Sequence, residues 1–165
     1  MDKLLKARSL GDEMPMRPLV PPPLQGLLAG GAMWLTDSLL PEARIVFLGQ
    51  GWLAGGLAVA GLTLDLASLA GFLRAGTTVS PVAPDRSTSL VTSGFYRFTR
   101  NPMYLGLLLI LIAWGVWLGN PVNLVWLCLF LAAITYLQIR PEEAALERRF
   151  GRAYLDYRSR VRRWL

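Results

Sequence analysis

Four long apolar runs, separated by short polar segments, constrain this chain more than any other feature. They cover residues 24–40, 45–64, 104–118 and 122–139. A helix needs roughly 20 mostly apolar residues to cross the hydrocarbon core of a bilayer. Two of the runs are shorter, but Pro102 and Pro121 suit helix starts just upstream of them. The third run offers no polar face, which disfavours a soluble helical bundle.

The composition supports an all-α integral membrane protein with four transmembrane helices and one domain. Hydrophobic residues make up 53% of the 165 residues, and the mean hydropathy of +0.40 lies above the range of soluble domains. We expect three parts along the chain. They are an N-terminal arm (1–23), transmembrane helices 1 and 2 (24–73), and a core of loop, helices 3 and 4 and a C-terminal amphipathic interfacial helix (74–165).

The basic residues predict the orientation of these helices. Of the 17 Lys and Arg, four lie in 1–23, four in 74–100 and eight in 140–165, whereas Arg44 alone lies in an opposite loop. By the positive-inside rule, both termini and the central loop are cytoplasmic, in an inner or plasma membrane. The net charge of +6 is then explained by attraction to anionic lipid rather than to nucleic acid.

The residue inventory excludes several kinds of chemistry. The chain has no histidine and one cysteine, Cys128, in the middle of an apolar run. A Ser-His-Asp triad, an imidazole base, a disulfide and a His- or Cys-based metal site are therefore excluded, and we expect no metal.

Two polar islands flank the last two apolar runs. The first is Gly94 to Gly106 and the second is Arg140 to Glu143. Each has a purely structural interpretation. Asn101 and Pro102 are typical of a helix start, at which Arg100 would reach lipid phosphates. Glu142 and Glu143 would stabilise the first turn of a new helix after Pro141.

Together the two islands indicate a functional site more strongly than either does alone, because the turn Gly119-Asn120-Pro121 makes helices 3 and 4 antiparallel neighbours. Both islands then lie at one end of the hairpin, with an apolar side towards lipid and a charged side towards cytosol. Such a pocket suits a zwitterionic soluble cofactor that meets a lipidic substrate.

Other polar groups have simpler expected roles. Asp37 at the outer surface should either reach water or pair with Arg44, and Asp65 should lie at the cytoplasmic boundary as a solvated carboxylate or a site residue. Past Arg140 an amphipathic basic helix, broken at Gly151, should lie in the headgroup region, anchored by Trp164.

The motifs resemble those of the isoprenylcysteine carboxyl methyltransferase family and, more loosely, of the phospholipid N-methyltransferases. The resemblance covers roughly residues 74–165. It rests on Leu90-Val91-Thr92-Ser93-Gly94-Phe95-Tyr96, on Arg100-Asn101-Pro102-Met103-Tyr104-Leu105-Gly106, and on Glu142-Glu143, Leu146, Phe150-Gly151, Tyr154, Tyr157 and Val161. The eukaryotic enzymes carry His where this bacterial-type chain has Asn101.

The resemblance implies S-adenosylmethionine bound at the cytoplasmic face, and a lipidic or prenylated acceptor. The residues that would line the cofactor site are Leu90, Val91, Tyr96, Asn101, Pro102, Met103 and Tyr104. Glu142 and Glu143 would hold its amino or ribose groups, and Arg140 would hold a carboxylate of cofactor or substrate. The residues expected to take part in catalysis are Arg100, Arg140 and Glu143.

Methyl transfer from a sulfonium gains most from an oriented, dry site, so an enzyme without histidine can perform it. Two alternatives stay open. One is a membrane reductase with a nicotinamide cofactor, whose phosphates the Arg-rich tail would bind. The other is a non-enzymatic transporter or assembly protein, disfavoured because the carboxylates lie near the ends of the apolar runs.

Overall fold

The computed structural model describes residues 20–74 and 90–165, and within these ranges it contains helices and turns but no strand. Most of the predicted N-terminal arm (1–19) and of the central loop (75–89) lie outside the described residues. The helices are α1 (Pro22–Leu39), α2 (Gln50–Arg74), α3 (Pro102–Leu118), α4 (Asn123–Phe150) and α5 (Arg152–Arg160).

Helix α3 lies at the centre, where it contacts α1, α2 and α4. The apolar core between α1, α3 and α4 consists of Met33, Tyr104, Leu111, Phe130, Ile134 and Ile139. We call the end at which α1 and α3 begin and α2 ends the polar end, and the opposite end the loop end.

Hydrogen bonds at the loop end join the connection between α1 and α2 to the end of α3. The Ile45 N–H donates to Gly119 O (2.8 Å), and Gln50 Nε2 donates to Val116 O (2.7 Å). Residues 45–49 belong to this loop rather than to α2, and Gly49 has φ of 87°. Helix α2 therefore begins five residues later than the apolar run suggests, and it continues without a break to Arg74.

Of the two environments expected for Asp37 at the loop end, the structure shows the pairing with Arg44. Arg44 Nη2 lies 2.6 Å from Asp37 Oδ2, and the carboxylate is almost fully buried. The pair lets α1 end with an acidic residue without leaving an isolated charge in an apolar environment.

Helices α2 and α3 cross at two glycines near the polar end. A methyl group built onto Gly61 would lie 2.7 Å from Gly106 O, and one built onto Gly106 would lie 2.8 Å from Gly61 O. Since neither position has room for a side chain, the two backbones are in direct contact. The sequence analysis did not identify this crossing.

Two helices, Gln50–Arg74 and Asn123–Phe150, are long and apolar enough to cross a membrane, whereas α3 is shorter. Only 17% and 22% of their apolar windows are buried inside the protein. A soluble protein would bury such helices, so the exposed apolar surface marks a membrane protein. By length and composition the structure thus supports two of the four predicted spans.

Helix α4 corrects one prediction at the second polar island. We expected a helix end at Ile139 and a new helix after Pro141, but the helix runs through both residues to Phe150. A π-helical segment, Thr135–Ile139, precedes the proline, and the Arg140 N–H donates to Thr135 O. The wider turn accommodates Pro141, which lacks an N–H and would crowd the preceding turn of a regular α-helix.

The glycine crossing predicts the effect of one substitution. Gly61→Ala should lower the unfolding temperature in detergent, with a cost of about 1–3 kcal/mol, because the backbone of α3 has to move away. Gly56→Ala in the same helix is the matched control, since its added methyl would meet no atom within 4 Å. Equal unfolding temperatures for the two variants would contradict the direct backbone contact.

Candidate active site

The first polar island binds the C-terminal tail, residues 161–165. The Arg100 N–H donates to Arg162 O (2.9 Å), while Thr99 Oγ1 and Asn101 Nδ2 both donate to Arg163 O (3.0 Å each). Asn101 occupies the N-cap position of α3 but makes no side-chain capping bond. Its expected capping role is therefore wrong, because the amide binds the tail instead.

Glu143 is held between two arginines at the centre of this end. Arg100 donates to Glu143 Oε1 from Nη2 (2.8 Å) and Nε (3.2 Å). Arg163 donates from Nη2 to Oε2 (2.6 Å) and from Nε to Oε1 (3.1 Å). Both carboxylate oxygens are thus bound, and α4 is tied to the start of α3 and to the tail.

Arg100 does not have the exposed position that binding to lipid phosphates requires. Its side chain is 10% exposed. Besides Glu143, its Nη1 donates to the backbone oxygens of Val161 (2.8 Å) and Arg158 (3.2 Å). All of these acceptors belong to the protein, so the arginine acts as a clamp between helices and tail.

Glu142 forms a second contact one residue away, in which both donors are uncharged. The Tyr104 hydroxyl donates to Glu142 Oε1 (2.7 Å), and Gln138 Nε2 donates to the same oxygen. Gln138 and Glu142 lie one turn apart on α4, so both face α3. The dipole role expected for the two glutamates is replaced by side-chain partners, because α4 does not begin here.

Tyr96 enters the site from the loop before α3. Gly94 has φ of 61° and starts the short 3₁₀ turn Gly94–Arg97. The Tyr96 ring packs edge-on against Phe72 of α2 (5.3 Å between centroids), and Tyr157 donates its hydroxyl to Tyr96 O (2.8 Å). Burial raises the pKa of Tyr96 well above its ordinary value, so the phenol is neutral.

The other predicted site residues are placed less centrally. Leu90 packs on the cluster of Tyr154, Tyr157 and Val161. Arg140 is exposed and lies over the Tyr136 ring, 4.1 Å from its centroid. Arg140 therefore does not join the Glu143 cluster, although the sequence analysis grouped them. Val91 and Met103 are half-buried, and Pro102 is buried.

The C-terminal segment also differs from its expected role as a lipid-facing anchor. The predicted break at Gly151 is confirmed, with φ of 51°. The apolar face of α5, however, is covered by protein: Tyr154 and Tyr157 are 1% and 5% exposed. Trp164 packs against the core of α1, α3 and α4. The segment closes the polar end instead of lying in the headgroup region by its apolar face.

Three residues of the site were missed by the sequence analysis: Thr99, Gln138 and Arg163. Gln138 could have been identified from the sequence, since it is a polar residue in an apolar run four positions before Glu142. Arg163 could not, because it is one of eight arginines after residue 139 and only the fold selects it.

The chain is similar to other proteins from the start of α2 to the start of α5. The sequence profile described as phospholipid methyltransferase matches residues 50–153. An uncharacterized protein of Haemophilus influenzae is 49% identical over 63 residues, which is 38% of this chain and all of that protein.

Relatives with a named activity match shorter stretches. Protein-S-isoprenylcysteine O-methyltransferase B of Arabidopsis thaliana is 31% identical over 88 residues, which is 53% of this chain and 45% of that protein. Protein-S-isoprenylcysteine O-methyltransferase of Schizosaccharomyces pombe is 36% identical over 72 residues, 44% and 30% of the two chains. The chain thus spans less than half the length of these two relatives. No solved structure matches it significantly.

The Glu143 cluster predicts how the tail is held. Glu143→Gln leaves two arginines without their anion, which should free the tail at a cost of about 3 kcal/mol, or about a hundredfold in the population of detached tail. Carboxypeptidase digestion followed by mass spectrometry should then trim residues 161–165 faster.

Arg162→Ala is the matched control for this experiment, because its side chain is exposed between two residues that the cluster holds. Its trimming rate should equal that of the unaltered protein. Equal protection of the tail in Glu143→Gln would refute the clamp.

Proposed function

Because the chain belongs to the phospholipid methyltransferase family, we propose that it transfers a methyl group from S-adenosylmethionine to a lipidic or prenylated acceptor at the cytoplasmic face. The matches support a membrane methyltransferase of the isoprenylcysteine or phospholipid type. The observation that carries the proposal is the Glu142–Tyr104 contact beside the Glu143 clamp, where the two polar islands meet.

The donor and acceptor set at the polar end fits an adenosyl cofactor. Both donors to Glu142 bind Oε1, which leaves its other oxygen to accept hydrogen bonds from a ribose or an ammonium group. The buried Tyr154 hydroxyl has no partner among the described residues. The rings of Tyr96 and Tyr104 offer flat apolar surfaces, and the described part of the chain holds no cluster suited to a metal ion.

When bound, S-adenosylmethionine supplies a methyl group on a positively charged sulfur. The residues of the chain orient and enclose it. Tyr104 and Gln138 fix the direction of the Glu142 carboxylate, and the clamp holds the tail over the polar end, where it excludes water. Orientation and desolvation are the contributions that such a displacement needs most.

An apolar groove supports an acceptor with a hydrocarbon chain. The groove has a volume of about 730 Å³ and lies between α1 and α2, with α3 as its floor. Small residues line it, including Gly26, Gly30, Gly51 and Gly55. Towards the polar end the groove reaches Leu107, one turn from Tyr104. A hydrocarbon chain lying there would present its polar head to the site.

The predicted site residues receive the following roles in this proposal. We assign the lining of the cofactor site to Leu90, Val91, Tyr96, Asn101, Pro102, Met103, Tyr104 and Glu142. Arg100 and Glu143 are positioning residues, because their charges are used to hold the tail. Arg140, exposed above Tyr136, is the candidate to bind a carboxylate of the cofactor or acceptor.

The cytoplasmic orientation rests on the distribution of charge. The polar end carries Arg74, Arg97 and Arg100 and the arginines of α5 and the tail, whereas Arg44 lies at the loop end. The positive-inside rule then supports a cytoplasmic polar end, with α1 and α3 crossing the membrane beside the two longer helices.

Calorimetry on the protein in nanodiscs tests the cofactor. S-adenosylmethionine and S-adenosylhomocysteine should bind, and Glu142→Gln should weaken both about tenfold or more, because a charged acceptor is removed. Glu147→Gln is the matched control, because Glu147 lies in the same helix and its carboxylate is exposed in a pair with Arg158. This variant should bind both ligands as the unaltered protein does. Binding of NADPH alone would favour the reductase instead, and binding of none of the three would refute the proposal.

Tyr104→Phe separates orientation from cofactor binding. Loss of the hydroxyl removes one of the two donors that fix Glu142, so we expect methyl transfer to fall about tenfold while the protein stays folded. Transfer of a radiolabelled methyl group to phosphatidylethanolamine and to a prenylcysteine analogue measures this and identifies the acceptor class. Unchanged transfer to both acceptors would show that the Tyr104 hydroxyl is not needed.

A further inference from the structure

Asp65 of α2 lies at the crossing of α2 and α3. A methyl group built onto Gly106 would collide with Asp65 Oδ1, so the absence of a side chain at residue 106 creates the space that the carboxylate fills. Gly106 belongs to the same stretch as Tyr104 and follows it by two residues. The carboxylate therefore lies directly against the part of α3 that builds the site.

The Oδ1 atom of Asp65 is buried and has no hydrogen-bond partner among the described residues. The other carboxylates in protected positions are all satisfied. Asp37 binds Arg44, Glu143 binds two arginines, and Glu142 accepts from Tyr104 and Gln138. Asp65 thus differs from these carboxylates, because one of its oxygens is buried without a partner within the described ranges.

The face of α2 that carries Asp65 points into the protein. Gly61, Asp65, Ser68 and Phe72 follow one another at helical spacing. Gly61 meets Gly106, Ser68 is 2% exposed, and Phe72 packs against Tyr96. Asp65 is therefore between the glycine crossing and Tyr96, on the side of α2 that faces the site.

The electrostatics of Tyr96 agree with this placement. Burial is the main cause of the raised pKa of Tyr96, and the neighbouring Tyr157 is the second. The negative charges of Glu142 and Asp65 raise this pKa further. One phenol thus senses both carboxylates, one from α2 and one from α4. The arginines of the clamp are already bound to Glu143, so neither of them pairs with Asp65.

We propose that Asp65 is a ligand-binding residue for a cationic group, an ammonium or a sulfonium, held between α2, α3 and the turn Gly94–Arg97. The assignment rests on the proposed function and adds a residue from outside the two polar islands. An unpaired carboxylate in an apolar helix is costly, and a cation bound beside it removes that cost. The cation has two possible sources, the cofactor and an amine-bearing acceptor.

Asp65→Asn tests the charge while it keeps the shape, so the crossing at Gly106 stays packed. Calorimetry compares three probes: S-adenosylmethionine with two cationic groups, S-adenosylhomocysteine with the ammonium alone, and methylthioadenosine with neither. If the cofactor is the source, the variant should bind the cationic probes about tenfold to a hundredfold more weakly and methylthioadenosine normally.

If an amine acceptor is the source, all three probes should bind normally. The KM for phosphatidylethanolamine should then rise about tenfold or more, whereas the inhibition constant of a hydroxyl-bearing analogue of the same chain length, which has no amine to accept the methyl group, stays constant. Asp156→Asn, an exposed carboxylate of α5, is the charge-matched control. Ser68→Ala is the control for the buried face of α2.

Two results separate the role of Asp65 from the proposed function. If the unaltered protein binds the adenosyl probes and Asp65→Asn changes neither their affinity nor the acceptor KM by more than twofold, Asp65 does not bind a cation. If the unaltered protein binds none of them, the proposed function fails. Binding of a long-chain alkylamine against the alcohol of equal length then decides whether Asp65 binds a cation.

Discussion

The buried carboxylate of Glu143 between Arg100 and Arg163 is the interaction on which the polar end depends. It joins three segments that are distant in sequence: the start of α3, the middle of the long helix α4, and the C-terminal tail. Two cations around one anion leave an excess positive charge, which is tolerated because Arg163 is partly exposed and Arg100 also binds backbone oxygens. Removal of one member would leave a buried charge without compensation.

The clamp also explains why neighbouring groups are free for a ligand. With the arginines occupied, two acidic groups beside Tyr96 have no cationic partner in the described ranges: Glu142, bound by two uncharged donors, and Asp65. The end of the molecule is therefore divided into a neutralised structural cluster and an acidic, aromatic region. That division is the arrangement that a cationic cofactor or acceptor needs.

Part of this arrangement was predictable from the sequence. The structure confirms the break at Gly151 and the meeting of the two polar islands, although Arg140 stays outside the cluster, and of the two environments expected for Asp37 it shows the pairing with Arg44. The continuity of α4 was not predictable, because a proline after an apolar run normally marks a helix boundary. The π-helical turn before Pro141 is a response to packing, and no residue pattern announced it.

By itself, the sequence determined which residues are apolar, where the turns between helices lie, and that two polar islands meet at one end of a hairpin. Periodicity and charge are local properties, so they are readable without a fold. Only the tertiary structure decided which arginine of the basic tail binds Glu143, why residue 106 has to be glycine, and which face of α2 carries Asp65 towards the site. Those choices depend on distances between segments that are far apart in the chain.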